Sequence, residues 1–343
     1  RPYQCGNNML SEKITVLGAG SWGTALALRL AANNNATCLW GHEADFMATL
    51  CRERQNSQFL PGYPFPENLS IEADLRQAIA GSRDLLMAVT SHAFREVLTA
   101  LAPVLNTDTR IAWATKGLEY GSGKFMSEVL EEVLDSRYPS AVVSGPTFAK
   151  EVAAGLPTAV TVASNNPVFA SDMASRLHGG SMRVYTSDDM TGVQLGGTVK
   201  NVLAIASGIT DGLQLGANSR AALITRGLAE IIRLGDAMGA HRETLMGLAG
   251  VGDLILTCTD DLSRNRRLGL ALGRGTGVEQ ALQEIGQVVE GYNTAREVVQ
   301  LARQYQVDMP ISEQVYRVLH DQLSPSDAVR NLLAREIKPE SAG

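Results

Sequence analysis

Two lysines lie where a cationic side chain could meet a bound ligand. Lys116 follows an apolar run, Thr109–Ala114, and open α/β sheets bind ligands at the carboxyl ends of such strands. Lys200 comes one helical turn after Gly196 and Gly197, which share its face and could leave room for a flat ring. Each helical glycine costs about 1 kcal/mol relative to alanine, so the pair indicates a packing or ligand demand. The residues alone leave open a solvated Lys200 beside closely packed helices.

A glycine-rich turn lies near the start of the chain, between a predicted strand and a predicted helix. The apolar run Lys13–Leu17 leads into the sequence GAGSWG, and a stretch rich in alanine and leucine follows. In this setting the first glycine permits the turn, the second lets a pyrophosphate approach the backbone, and the third lets helix and strand pack closely. The helix start offers free N–H groups to phosphates. We predict a dinucleotide site, with a structural turn as the alternative, formed by Gly18, Gly20, Ser21, Trp22 and Gly23.

The end of the second predicted strand, Ala36–Trp40, bears on which dinucleotide would bind. An NAD site usually places an acidic residue there to bind the ribose 2′-hydroxyl. Here the strand is followed by Gly41 and His42, and Glu43 comes later than that position. A neutral or cationic group tolerates a 2′-phosphate, so NADP is allowed and NAD is not excluded. His42 is therefore a candidate cofactor contact, with an exposed loop histidine as the alternative.

The first half of the chain alternates short apolar runs with segments long enough for crossover helices, such as Ala25–Asn33 and Phe94–Leu105. Most runs are continuously apolar, as expected for parallel strands covered on both faces. The predicted strands are Lys13–Leu17, Ala36–Trp40, Asp84–Val89, Thr109–Ala114, Ala141–Ser144 and Thr158–Ala163. This alternation predicts an α/β fold with a doubly wound, Rossmann-type parallel sheet.

The pattern changes after about Tyr185, where apolar residues begin to recur every three or four positions. This spacing is seen at Ile224, Leu228, Ile231, Leu234 and Met238, and again at Val298, Leu301 and Tyr305. It predicts an all-α C-terminal domain, with Asp188 or Asp189 as the N-cap of its first helix. We predict a dinucleotide-binding domain over residues 11–191 and a substrate and catalytic domain over residues 192–335. Residues 1–10 are expected to be an extension, added by cloning or by a misassigned start.

The composition is that of a globular protein with a mildly acidic surface. The 343 residues include 30 Lys and Arg against 36 Asp and Glu, which gives a formal net charge of −6. This balance argues against broad binding to nucleic acid or an anionic membrane. No apolar run reaches the roughly 18 residues of a membrane span. Four cysteines without CxxC spacing predict neither a disulfide framework nor a metal site, so we expect a cytoplasmic protein without a metal.

Six blocks of sequence together resemble one family over about residues 13–335. The blocks are GAGSWGTALA at 18–27, TKGLE at 115–119, SGPTFAKEV at 144–152, GGTVKNVLAIASGI at 196–209, GVGDLILTCTDDLSRNRRLG at 250–269 and VVEGYNTA at 288–295. In this order they are similar to the NAD(P)-dependent glycerol-3-phosphate dehydrogenases of the bacterial biosynthetic type. The resemblance implies interconversion of sn-glycerol 3-phosphate and dihydroxyacetone phosphate by hydride transfer with NAD or NADP. It also implies a supply of glycerol 3-phosphate for phospholipid synthesis.

The resemblance assigns chemical roles to three charged residues. It implies that Lys200 is the general acid/base, which donates a proton to the carbonyl oxygen or takes one from the alcohol. Lys116 would polarise the substrate oxygen, contact the cofactor and help to lower the pKa of Lys200 as a second cation. Asp253 would orient Lys200 and balance its charge, and a plain helix N-cap is the alternative for this residue.

The same resemblance implies that a helix start binds the substrate phosphate. Ser263, Arg264 and Asn265 begin a predicted helix, and an arginine fork can bind an oxyanion through two N–H groups. Arg264 would also contact the cofactor. A solvated charged face is the alternative, above all for Arg266 and Arg267. The remaining candidates are Gly145, Thr147 and Thr257 for the substrate, and Ala149, Val288 and Glu290 for the cofactor.

Other functions stay open at this point. A two-domain NAD(P)-dependent hydroxy-acid dehydrogenase would share the fold but bind a carboxylate-bearing substrate. A non-catalytic cofactor-sensing protein would not need a pair of lysines. A lone histidine such as His92 is more often structural, so we do not predict it as the base. The residues leave undecided the preference for NAD or NADP, homodimer formation, feedback inhibition and the direction of the reaction.

Overall fold

An eight-stranded sheet lies at the centre of the first half of the chain. The computed structural model describes residues 12–336 and 339–340, so the predicted extension at 1–10 lies outside the described residues. The strands in chain order are β1 (Lys13–Leu17), β2 (Thr37–Trp40), β3 (Gln55–Asn56), β4 (Leu60–Pro64), β5 (Leu69–Glu72), β6 (Ser82–Met87), β7 (Arg110–Trp113), β8 (Ser140–Ser144), β9 (Thr158–Ser164) and β10 (Met182–Ser187). The sheet has the order β10-β9-β8-β7-β6-β1-β2-β5, and β3 and β4 form a separate antiparallel hairpin.

Helices pack on both faces of this sheet and bury its central strands. They are α1 (Ser21–Ala32), α2 (Ala44–Glu53), α3 (Leu75–Ile79), α4 (Ser91–Leu101), α5 (Met126–Leu134), α6 (Ala149–Ala153) and α7 (Pro167–Leu177). Leu86 faces an apolar cluster with residues of α1 and α7, whereas Leu85 and Met87 face a second cluster with residues of α4 and α5. The predicted doubly wound α/β sheet is confirmed. Because the strand order reverses at β1, a ligand crevice is expected at the carboxyl ends of β1 and β6.

The sheet differs from the predicted one towards its edges. β9 runs antiparallel to β8, and β10 pairs in parallel with β9 as an edge strand. No strand is predicted over Met182–Ser187, because only its first residue is fully buried and no apolar run marks the segment. The short strands β3, β4 and β5 are missed for the same reason, since much of their surface is exposed or half-buried.

The second half of the chain is helical, which confirms the predicted all-α region. Its helices are α8 (Met190–Gly212), α9 (Gly216–Met238), α10 (Arg242–Leu245), α11 (Asp253–Thr259), α12 (Arg264–Gly273), α13 (Val278–Ile285), α14 (Glu290–Gln304), α15 (Pro310–His320) and α16 (Pro325–Leu333). Asp189 caps α8 by accepting a hydrogen bond from the Gly192 N–H at 2.8 Å, as predicted. The domain boundary after residue 191 stays a prediction. Among the described residues, no helix is both long and apolar enough to cross a membrane.

Helices α8 and α12 touch through their backbones. A Cβ on Gly208 would overlap the carbonyl oxygen of Arg266, and a Cβ on Gly269 would overlap that of Ile205. Any larger residue at either position would force the two helices apart. The contact holds the first turns of α12 against the part of α8 that follows Lys200.

Candidate active site

A buried aspartate joins the two predicted lysines. Asp253 Oδ1 lies 2.5 Å from Lys200 Nζ, and Asp253 Oδ2 lies 2.7 Å from Lys116 Nζ. Lys200 Nζ also donates a hydrogen bond to Thr257 Oγ1 at 3.0 Å, and Lys116 Nζ donates one to the carbonyl oxygen of Gly145 at 3.1 Å. Five predicted site residues, from both halves of the chain, thus meet at one point.

Burial and charge together adjust the proton affinity of Lys200. The pKa of its ammonium is lowered to about 8, chiefly by burial; the Asp253 carboxylate opposes this effect, and the Lys116 charge adds to it. A lysine with such a pKa can both hold and release a proton near neutral pH. Because two ammonium groups share one carboxylate, the cluster keeps a net positive charge that suits a substrate oxygen with developing negative charge.

Close backbone packing holds Asp253 in place. This residue follows a π-helical turn, Leu248–Gly252, that packs on α8. A Cβ on Gly196 would overlap the carbonyl oxygen of Ala249 in that turn, and a Cβ on Gly197 would lie 3.0 Å from the hydroxyl of the last residue of β8. Both glycines therefore serve packing, and the chain itself fills the room predicted beside them for a flat ring.

The glycine-rich turn between β1 and α1 combines a tightly packed backbone with one open position. Gly18 has a φ of +121°, and a Cβ there would lie 2.8 Å from the carbonyl carbon of Ala88. A Cβ on Gly23 would overlap the carbonyl oxygen of Gly18, whereas nothing lies within 4 Å of the Cβ position of Gly20. The fold thus requires the first and third glycines, and the second leaves the space that a pyrophosphate needs.

The start of α1 offers hydrogen-bond donors to the same space. Gly20 is its N-cap and provides no side-chain hydrogen bond, Ser21 is its first residue, and its first turn contains no acidic residue. The N–H groups of this turn therefore remain available to a phosphate. The Trp22 Nε1 is buried and has no hydrogen-bond partner among the described residues. These features fit a dinucleotide bound at the turn.

Replacing Gly20 by valine should weaken the binding of both NADH and NADPH, because the side chain would fill this open space. Forcing a bulky group into an occupied site costs about 1–3 kcal/mol, or roughly 5- to 150-fold in Kd. The melting temperature should change little, because no protein atom lies there. Fluorescence titration with each cofactor measures Kd. Gly235→Ala is the control that should lower the melting temperature instead, because a Cβ there would lie 2.5 Å from Leu245 Cδ1, in the helical half of the chain. An unchanged Kd in Gly20→Val would place the phosphates elsewhere.

His42 lies on the surface after the end of β2. Its side chain is exposed, and its Nε2 lies 3.6 Å from Glu43 Oε1. A Cβ on the preceding Gly41 would lie 2.6 Å from Met47 Sδ, so a larger residue there would require the Met47 side chain to move. An exposed imidazole beside a carboxylate favours neither a 2′-hydroxyl nor a 2′-phosphate, and both cofactors stay candidates.

The predicted phosphate-binding residues at the start of α12 differ in the hydrogen bonds they already make. Ser263 Oγ caps the helix by accepting a hydrogen bond from the Arg266 N–H at 3.2 Å. Asn265 Nδ2 donates to Asn201 Oδ1 at 3.0 Å, and Asn265 Oδ1 accepts from the Gly291 N–H at 2.8 Å. The Asn265 amide therefore ties α12 to both α8 and α14.

Among Ser263, Arg264 and Asn265, Arg264 is the residue whose side-chain N–H donors are not used by the described residues. Its guanidinium is half-buried and makes no hydrogen bond to the described part of the chain. Burial lowers the pKa of Arg264, and the nearby Glu290 carboxylate opposes that effect. Arg266, by contrast, lies 2.7 Å from Asp211 and 2.9 Å from Asp261. Arg266 is therefore engaged in the fold and is not available to an anion.

Three further predicted cofactor contacts, Ala149, Val288 and Glu290, lie at or just before the start of a helix. Glu290 is the first residue of α14 and accepts a hydrogen bond from Ser91 Oγ at 3.4 Å, just past the carboxyl end of β6. Burial raises the pKa of Glu290, and the Arg264 charge opposes this. The residue is half-buried. Ala149 begins α6, and Val288 is exposed just before α14.

Sequence reasoning missed two residues that contact the predicted site. Asn201 binds Asn265, and its position directly after Lys200 could have indicated it. Ser91 contacts Glu290. It follows the predicted strand that ends at residue 89, and a position after the carboxyl end of a strand could have indicated a site residue. Thr147 Oγ1 donates to the Gly145 carbonyl oxygen at 3.2 Å, the same oxygen that Lys116 contacts. In the described residues, no three His, Cys, Asp or Glu side chains are grouped as metal ligands.

A glycine-rich turn that fits a dinucleotide, a doubly wound sheet and a helical second half, with two lysines that share one buried aspartate, indicate the class of dinucleotide-dependent oxidoreductases. Two family models match the chain. The model for the N-terminus of NAD-dependent glycerol-3-phosphate dehydrogenase matches residues 13–170, and the model for its C-terminus matches residues 189–330. The chain belongs to the NAD-dependent glycerol-3-phosphate dehydrogenase family.

Relatives are similar along nearly the whole chain. The glycerol-3-phosphate dehydrogenase (NAD(P)+) of Shewanella baltica is 56% identical over 332 residues, which cover 96% of this chain and 98% of that protein. The protein of the same name from Shewanella halifaxensis is 56% identical over 330 residues, 96% of this chain and 97% of its own. The crystal structure of glycerol-3-phosphate dehydrogenase from Coxiella burnetii is 52% identical, with a TM-score of 0.92 over 95% of this chain and 100% of that one. The resemblance seen in the sequence blocks is confirmed.

Proposed function

We propose that this protein interconverts sn-glycerol 3-phosphate and dihydroxyacetone phosphate with NAD(P)(H). In the reducing direction, dihydroxyacetone phosphate, NAD(P)H and a proton give glycerol 3-phosphate and NAD(P)+. The observation that carries the proposal is the buried Lys200–Asp253–Lys116 cluster beside the carboxyl ends of the strands. Burying Lys200 and Asp253 beside the partly buried Lys116 costs desolvation free energy, and a protein that only binds a cofactor has no need of such a cluster.

The cluster supports a specific division of the chemistry. When bound, the nicotinamide cofactor supplies or accepts the hydride at C2 of the substrate. In reduction, Lys200 Nζ gives its proton to the C2 oxygen, which becomes the hydroxyl; in oxidation, neutral Lys200 takes that proton back. Lys116 donates a hydrogen bond to the same oxygen and stabilises its negative charge. Asp253 holds both Nζ atoms in place, and Thr257 fixes the second contact of Lys200.

We assign the substrate phosphate to Arg264, because its guanidinium has N–H donors that no described residue uses. An arginine fork binds a phosphate through two parallel hydrogen bonds. Ser263 supports this site by capping α12, and Asn265 by anchoring its first turn to α8 and α14. Gly145 and Thr147, which lie beside Lys116, would contact the glycerol part of the substrate.

We assign the cofactor to the glycine turn and to the opposite wall formed by the helical half. Gly20 and the N-terminus of α1 would hold the pyrophosphate, and His42 would lie by the adenosine ribose. The remaining cofactor contacts of the proposal are Gly18, Ser21, Trp22, Gly23, Lys116, Ala149, Arg264, Val288 and Glu290. The open Cβ position at Gly20 and the unpaired Trp22 Nε1 support this assignment.

We further propose a cytoplasmic homodimer that supplies glycerol 3-phosphate for phospholipid synthesis. The thiols of Cys38, Cys51 and Cys258 are free, as is usual in a reducing compartment. The helical half exposes large apolar side chains such as Ile255 and Leu262, which a second copy could cover. Light scattering at micromolar protein concentration measures the mass and tests the dimer.

A parallel assay with two substrate classes tests the proposed function. Dihydroxyacetone phosphate should be reduced, as the loss of NADH or NADPH absorbance reports, and a set of 2-keto acids should not. Running both cofactors side by side also ranks NAD against NADP. Turnover of a 2-keto acid in place of dihydroxyacetone phosphate would favour the hydroxy-acid dehydrogenase. Cofactor binding without turnover of either class would favour the cofactor-sensing protein.

A further inference from the structure

A buried carboxylate outside the lysine cluster contacts the loop that carries Lys116. Glu297 lies on α14 and is 1% exposed. Its Oε1 accepts a hydrogen bond from the Gly121 N–H at 3.1 Å, and its Oε2 is buried without a hydrogen-bond partner in the described residues. A buried carboxylate with one unpaired oxygen costs free energy. The fold retains it at a contact between the sheet half and the helical half.

Part of the loop over residues 114–125 is a closed turn, because the Glu119 N–H donates to the Lys124 carbonyl oxygen at 2.9 Å and the Gly123 N–H to the Glu119 carbonyl oxygen at 3.0 Å. The loop leaves β7, carries Lys116 at its start and contains Gly117 and Gly121, both with positive φ. On its solvent side, Arg95 holds the loop residue Glu119 at 2.6 Å. On its inner side, α14 runs along the loop: a Cβ on Gly117 would lie 3.5 Å from the Thr294 hydroxyl, and Gly121 is bound by Glu297 one turn further on.

We propose that Glu297 is a positioning residue for the reaction: by holding the Gly121 end of this loop on α14, it keeps Lys116 against Asp253. The inference rests on the proposed function, because it assigns Glu297 an effect on the Lys200 proton. Four residues, 117–120, connect Lys116 to Gly121, and among them Leu118 is buried and Glu119 is bound by Arg95. Because the hydrogen-bonded turn at 119–124 would move as a unit, release at Gly121 is expected to shift Leu118 and with it to move Lys116 away from Asp253.

A displaced Lys116 changes the titration of Lys200 in a predictable direction. The charged and titratable groups that face Lys200 are Asp253 and Cys258 on α11 and Lys116 on the loop. The Lys116 charge lowers the pKa of Lys200, and Asp253 raises it. When Lys116 moves away, the repulsion weakens and Asp253 is left to Lys200 alone. Both changes raise the pKa of Lys200, so the alkaline limb of the reduction should move to higher pH.

The experiment compares wild type with Glu297→Ala, Glu297→Gln and Glu132→Ala. For each protein, kcat and KM for dihydroxyacetone phosphate are measured against pH, and amide hydrogen exchange is followed over residues 114–125. Glu297→Ala should lower kcat/KM by roughly 10- to 100-fold, as expected for a misplaced catalytic group. Its alkaline midpoint should rise by roughly half a pH unit or more, and exchange at Gly121 should accelerate.

The two other variants separate positioning from mere stability. Glu297→Gln keeps an acceptor for the Gly121 N–H, so it should retain the wild-type midpoint and slow exchange. Glu132 contacts Arg95 on the exposed side of the same region, and Glu132→Ala should leave the midpoint unchanged. A Glu297→Ala protein with wild-type midpoint and Gly121 exchange would overturn the proposal. If Glu297→Ala does not fold, Glu297→Gln provides the test. A shifted alkaline midpoint in that variant together with slow exchange at Gly121 would also overturn the proposal. Absence of turnover in wild type would instead refute the proposed function.

Discussion

Replacing Lys200 by alanine is expected to lower kcat for dihydroxyacetone phosphate by about 10²- to 10⁴-fold, the usual contribution of a general acid or base. The alanine variant has no group at the position of Nζ that could give a proton to the C2 oxygen. The Kd for NADH should change little, because Lys200 lies on α8 and takes no part in the glycine turn. Initial rates and a separate cofactor titration measure the two effects. A near-normal kcat would remove Lys200 from its proposed role.

The pH dependence of the wild-type protein gives an independent test of the same assignment. Reduction needs protonated Lys200, so its rate should fall as pH rises through about 8, the pKa to which burial lowers this ammonium. Oxidation needs neutral Lys200, so its rate should rise over the same range. Opposite limbs with one shared midpoint identify a single proton-transferring group. If both directions lost activity at high pH, another group would control the profile.

Replacing Arg264 by alanine should raise KM for dihydroxyacetone phosphate by roughly 10- to 150-fold, since a hydrogen bond to a charged group contributes about 1.5–3 kcal/mol. Arg264 is half-buried at the start of α12, and no described residue uses its guanidinium donors. Unphosphorylated dihydroxyacetone lacks the recognised group, so its slow turnover should hardly respond. Arg267→Ala is the matched control, because Arg267 is exposed one turn further along the helix. An equal loss with both substrates at an unchanged Kd for NADH would place the phosphate elsewhere, whereas a raised Kd for NADH would report the proposed cofactor contact of Arg264.

Asn265→Ala is not expected to report on phosphate binding alone. Its amide binds Asn201 and the Gly291 N–H, so the substitution would also loosen α12 from α8 and α14. We therefore expect it to slow dihydroxyacetone phosphate and dihydroxyacetone together, in contrast to Arg264→Ala. Comparing the two variants on both substrates separates phosphate binding from support of the site.

The sequence predicts the central strands well and the peripheral ones poorly, for a physical reason. β1 and β7 are buried on both faces, so each of their side chains must be apolar or have a hydrogen-bond partner. A largely continuous apolar run in the sequence therefore marks these strands. β10 has a sheet neighbour on one side only and little buried surface, so its ladder hydrogen bonds leave no trace in the side-chain pattern. Nearly every residue type can form backbone hydrogen bonds, so these bonds do not select particular side chains. The apolar pattern of the sequence therefore shows which residues are buried and does not show which strands pair.

The candidate site shows the same division. Neighbouring residues in the sequence indicate three of the site residues. Lys116 follows a predicted strand, Lys200 follows a glycine pair, and Arg264 follows a predicted helix cap. The meeting of both lysines at Asp253 is a long-range contact between separate segments, and no spacing along the chain encodes it. The sequence does not indicate which atom Gly196 packs against, because that atom lies in the distant turn at Ala249.

The glycine contact between α8 and α12 fixes the distance between the two helices, and in the proposed binding mode this distance limits the length of the substrate. Gly208 and Gly269 bring the two main chains together, so the spacing between the segment that carries Lys200 and the segment that carries Arg264 does not depend on side-chain rotamers. In the proposed binding mode, a phosphate one carbon further from the reacting carbonyl could be met only by a different conformation of the Arg264 side chain or by a shift of α12. The two glycines resist such a shift, because their backbones are already in contact.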